Sequence, residues 1–197
     1  MVDITELYHS ASSFECLMLE KQRNFYGLPV EESFHPWCMG LAHEILVAIR
    51  NPKFEHSDVD QFRWEFAECC AWILKYSKDE EPNDRKLCAE LGLIAIADHI
   101  GQSDEFSFSY YSVLFKILKW GKTALLESIS SDVYNKIFFV ACSAISKMEQ
   151  YDPRICDMFI DEESAANEFN NTISLPISQD EAFITLSTVV LNLKSKY

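Results

Sequence analysis

The stretch Phe62-Arg-Trp-Glu-Phe-Ala-Glu-Cys-Cys-Ala-Trp-Ile-Leu74 decides the fold class. Apolar residues at 62, 66, 70, 73 and 74 recur at three- and four-residue spacing, the period of an α-helix rather than a strand. From Cys69 to Leu74 the segment is apolar nearly all round, so such a helix is buried on more than one side and is expected at the centre of the core. Ser57, with Asp60 three residues later, has the form of an N-cap and places its start.

Working outward, the same period recurs on both sides. Ile4, Leu7, Tyr8, Ala11, Phe14 and Met18 form the stripe of a first helix ending near Gly27 and Pro29. A second helix opens at Pro36, carries Trp37, Leu41, Ile45, Ala48 and Ile49 on one face, and stops before Asn51-Pro52. After the acidic linker Lys78-Asp-Glu-Glu-Pro82, a fourth helix turns Leu87, Leu91, Ile94 and Ala95 inward, with Gly101 expected as its stop. Phe106-Ser-Phe-Ser-Tyr110 alternates like a strand, but Tyr111, Leu114, Phe115 and Leu118 keep helical spacing as far as Gly121. Ser131 or Asp132 caps a helix with the stripe Val133, Ile137, Val140, Ala141 and Ile145, and Pro153 opens a short one. The β-branched run Ile184–Val190 is compatible with a strand, yet Ser178-Gln-Asp-Glu181 supplies a capping box and decides for helix.

Only five glycines occur in 197 residues, too few for the tight turns of a sandwich or barrel. The expectation is an all-α protein: one domain over residues 1–197, an irregular bundle of about eight helices, with an irregular α-solenoid as the alternative and an acidic, partly irregular region at 149–181.

Charge bounds the function. The chain carries 31 acids and 17 bases, a formal charge of −14. That field repels phosphate backbones and anionic lipid surfaces, so direct nucleic-acid and membrane binding are disfavoured. No stretch approaches the length of an apolar membrane span and the start has no secretory pattern, which points to the cytoplasm. The cysteines at 16, 38, 69, 70, 88, 142 and 156 include no Cys-x-x-Cys pair and read as small core residues.

Motifs for chemistry are sparse. Gly121-Lys-Thr123 matches only the end of a phosphate-binding loop, because position 116 is Lys and the preceding residues are helical in pattern. No nucleotide fingerprint, calcium loop or nucleophile elbow is present, and no cofactor is implied. Asp98 and Glu44 fall in line with apolar helix faces, and a buried acid needs a partner. With their neighbours they give the alternative reading, a small metal-dependent hydrolase using His43, Glu44, Asp98 and His99.

The acidity is uneven. Between Glu149 and Glu181, nine acids and one base leave a charge of −8, more than half of the total, within 33 residues. Met158, Phe159, Ile160 and Phe169 are interleaved with those acids. A charged surface with apolar anchors suits a basic protein partner, such as a toxin or nucleic-acid-binding protein. The first expectation is therefore a non-enzymatic binding module, for instance an immunity-type inhibitor, contacting its partner through Asp157, Phe159, Asp161, Glu162, Glu163 and Glu168.

Overall fold

The computed structural model describes residues 45–76, 81–103, 108–149 and 178–197. Among these residues the protein is all helical. A helical segment at 45–49 is followed by a 3-10 turn, His56–Val59, and by α1 (Arg63–Tyr76), α2 (Pro82–Gln102), α3 (Phe108–Leu125), α4 (Ser131–Glu149) and α5 (Gln179–Lys194). The helices expected before residue 45 and around Pro153 lie outside the described residues.

Successive helices pack on one another, and α2 also touches α5, so the chain's last helix returns to its middle. The centre is α2 rather than the α1 segment that the sequence favours. Every residue from Cys88 to Ile96 is buried, including Glu90. Its small residues explain this position. A Cβ on Gly92 would lie 2.8 Å from that of Cys70 and 3.1 Å from Ile117 Cδ1, so glycine lets α1 and α3 close on α2. Gly121 does the same from α3, where a Cβ would sit 3.0 Å from that of Ala89.

Several boundaries differ from the sequence expectation. The Ser57 signal does not start α1: it falls in the 3-10 turn, where the Glu55 backbone N–H donates to Asp58 at 3.0 Å. Short-range bonds from Asp60 to Ser57 and from Phe62 to Val59 delay the α-helix to Arg63. Gly101 lies inside the last turn of α2, which closes on the Ser103 N–H, and Gly121 is interior to α3. At Gly121 the glycine signal is ambiguous because close approach and chain termination both select glycine. The cap of α4 is Ser130, whose hydroxyl accepts from the Val133 N–H at 3.4 Å, one residue ahead of the expected position. At α5 the helix holds with half of the expected capping box: Ser178 Oγ accepts from the Glu181 N–H at 3.1 Å and the β-branched run is helical, while the Glu181 carboxylate accepts from Lys136 at 2.8 Å.

Aromatic contacts join the later helices. Phe115 of α3 meets Phe138 of α4 with ring centroids 5.5 Å apart, and the buried Tyr134 hydroxyl donates to the Leu118 carbonyl at 2.7 Å. Tyr111 packs edge-on against Phe183 of α5 at 6.3 Å.

Candidate functional site

On the described helices Asp84, Glu68, Asp98 and Glu90 are partly or fully buried carboxylates, each bonded to a base from another helix or segment. Asp84, in the first turn of α2, receives the Arg50 guanidinium on both oxygens, with Nε to Oδ1 at 2.8 Å. That hydrogen bond holds the Asp84 carboxyl below the usual carboxylate range, against the opposing effect of its burial. Glu68 of α1 accepts from Lys116 of α3 at 2.7 Å and from the Trp72 indole at 3.0 Å. Asp98 of α2 accepts from Lys194 of α5, at 2.7 Å on one oxygen and 2.6 Å on the other.

The fourth, Glu90, is the most buried, with 2% of its surface exposed. Ser128, from the turn between α3 and α4, and Lys196, at 2.9 Å, both donate to Oε1, while the Tyr197 hydroxyl donates to Oε2 at 2.5 Å. Burial alone would raise the Glu90 pKa, but the donors from Ser128, Tyr197 and Lys196 outweigh it and hold the carboxyl below its ordinary range. Burial first, and then the same contact with Glu90, push the Tyr197 phenol well above the usual tyrosine value. Glu90 therefore clasps the 195–197 segment and the 126–130 turn onto α2.

Beside this clasp runs a groove of about 320 Å³ between the 128–130 turn and α5. Ile129 and Val133 form one wall, Thr185, Thr188 and Asn192 the other, and Lys196 closes it where its ammonium rests on Glu90. As chemistry the arrangement is quiet. Ser128 donates to a carboxylate whose basicity is lowered, and the Lys196 side chain is bonded to the same carboxylate, so the arrangement offers Ser128 no activating base.

Of the residues proposed from sequence for metal chemistry, Asp98 and His99 are described, whereas His43 and Glu44 lie outside the described residues. Adjacent on α2, the two take different surroundings. Both oxygens of Asp98 are occupied by Lys194. The His99 ring stands edge-on to Tyr110 at 4.3 Å with its Nε2 buried. Burial lowers the His99 pKa, Glu65 opposes the shift and Arg63 adds to it. Among the described residues, no three His, Cys, Asp or Glu side chains come together as a metal-ligand set. Asp157, Phe159, Asp161, Glu162, Glu163 and Glu168 also lie outside the described residues.

Glu90 is what the reading of the sequence passed over. Its signal was there: it is the sole charge between Lys86 and Asp98, inside an otherwise apolar run. Cys70 and Cys88 meet in the same core, and burial first, then the Cys88 contact, pushes the Cys70 thiol up, the environment of a packing residue rather than a reactive one. Among the described residues no helix is long and apolar enough to cross a membrane. Comparison with known proteins gives no match to a family model, to a curated protein or to a solved structure.

Proposed function

We propose that the protein is a non-enzymatic, cytoplasmic binding module, an irregular bundle of about eight helices whose acidic 149–181 stretch engages a basic protein. One concrete form is an immunity-type inhibitor that covers the nucleic-acid-binding surface of a toxin. The observation that carries the reading is the concentration of charge: −8 within 33 residues of a chain at −14. Such a field accelerates encounter with a basic surface and disfavours acidic competitors. The described helices support it by contrast. Asp84, Glu90, Asp98 and Glu68 are each committed to a bond that ties one part of the scaffold to another, so their chemistry is spent on the fold.

The test is capture of a basic partner at low and at high salt, by wild type and by the Asp161→Lys, Glu162→Lys, Glu163→Lys variant. The reading expects capture that weakens with salt and is lost in the variant. Unchanged capture by the variant rejects the surface.

A further inference from the structure

At one corner of the bundle two buried polar atoms have their hydrogen-bonding capacity unmet. Trp64 in the first turn of α1, His99 in the last turn of α2 and Tyr110 in the first turn of α3 meet there through their rings. The His99 ring stands edge-on to Tyr110 with centroids 4.3 Å apart, and Trp64 meets the same tyrosine at 6.2 Å. His99 Nε2 and Trp64 Nε1 are both inside, and neither has a hydrogen-bond partner among the described residues.

The charges around His99 do little to hold a proton on it. From α1, Glu65 favours the imidazolium and Arg63 opposes it. Arg63 is itself fixed, to Asp60 at 2.8 Å and to Gln102 of α2 at 2.6 Å. On α2 the neighbouring Asp98 is taken by Lys194 of α5. From Phe108 to Phe115, α3 carries no acid or base. Whichever tautomer the neutral ring takes, the imidazolium carries a proton on Nε2, and that buried N–H has no acceptor.

We infer that His99 is a proton-operated latch: neutral, it lets the adjoining ends of α1, α2 and α3 close on one another, and protonated, it opens that corner. Burial, the largest influence on the ring, lowers its pKa from the ordinary 6.5. The unfolded ring therefore takes its proton near pH 6.5 and the folded ring only at lower pH, so the stability of the corner is full above 6.5 and is lost as pH falls from there toward the folded value. The opening stays local. His99 lies in the last turn of α2, whereas the buried run Cys88–Ile96 holds only Glu90 as an acid, already ionised because its pKa is held below 4.5.

Two measurements test the latch. In the wild-type protein, NMR titration of the assigned His99 ring is expected to give a pKa below 6.5. Hydrogen exchange read by mass spectrometry at pH 7.5 and pH 5.5, corrected for the intrinsic pH dependence of exchange, is expected to show protection of residues 96–102 and 108–115 falling by roughly tenfold, with residues 88–95 unchanged. In His99→Gln and in His99→Phe the protection of the same segments no longer depends on pH. A His99 pKa of 6.5 or above overturns the inference, as does a loss of protection spread evenly along the chain or an equal pH dependence in wild type and variants.

Discussion

Replacing Glu90 by Gln tests the clasp with the least change of shape. In the wild type, three donors converge on a carboxylate that is 2% exposed, from Ser128, Lys196 and Tyr197. In the amide one oxygen becomes an NH2, and a lysine ammonium cannot accept from it. The side chain must therefore keep its oxygen toward Ser128 and Lys196 and turn its nitrogen to the Tyr197 hydroxyl, which accepts instead of donating. The bonds survive in number but lose their charge assistance. Replacing charge-assisted bonds by neutral ones costs about 1–2 kcal/mol, limited here because Lys196, whose side chain is 44% exposed, recovers water. Glu90→Ala leaves hydroxyls without an acceptor and opens a void, for about 2–4 kcal/mol.

Urea unfolding followed by circular dichroism reads both variants. With a slope near 2 kcal/mol/M, Glu90→Gln lowers the midpoint by roughly 0.5–1 M. The effect has a pH signature. The folded pKa of Glu90 lies below its ordinary value of 4.5, so its contribution is fully present above that value and is lost as pH falls through the folded pKa. The gap between wild type and Glu90→Gln narrows from pH 7 to pH 3. A midpoint shift under about 0.2 M, or a gap that does not change with pH, refutes the reasoning.

Three further outcomes follow from the packing. Gly92→Ala, which puts a Cβ 2.8 Å from that of Cys70, destabilises by about 1–3 kcal/mol, whereas Gly101→Ala meets nothing within 4 Å and stabilises by about 0.5–1 kcal/mol; thermal melts of the two variants separate them. Asp84→Ala removes the acceptor of the Arg50 fork and costs about 2–3 kcal/mol in urea unfolding, and the loss fades at acid pH because the Asp84 pKa is lowered in the folded protein. Cys70, fully buried and with its thiol pKa raised, reacts with a thiol reagent only at the rate of unfolding; mass mapping of the labelled peptide in native and in denaturing buffer checks it.

The helical class was legible because periodicity is a local property. In α5 the Ser178 cap overrode the strand propensity of Ile184–Val190, and the cap bond is present. The carboxylate partners were not legible in the same way. Asp98 announces that it needs a partner, since it sits in line with Leu87, Leu91 and Ile94, but Lys194 is 96 residues away. Glu90 finds its donors 38, 106 and 107 residues away, and no local pattern carries that pairing. Gly121 as the end of α3 fails for a related reason. Termination is decided by neighbours in the chain, whereas close approach is decided by another helix, as Ala89 shows at Gly121. The charge of residues 149–181 is fully legible as charge, and the use proposed for it depends on a partner that no local pattern names.

The measurement that bears most directly on the proposed function compares two triple reversals of equal charge. One changes Asp161, Glu162 and Glu163 to Lys, and the other changes Glu81, Glu127 and Asp132, exposed positions on the described helices and turns. Both raise the net charge by the same amount, so a general field effect acts on both alike. The account predicts that capture of a basic protein partner is abolished by the first and retained by the second. Equal capture by the two variants contradicts it.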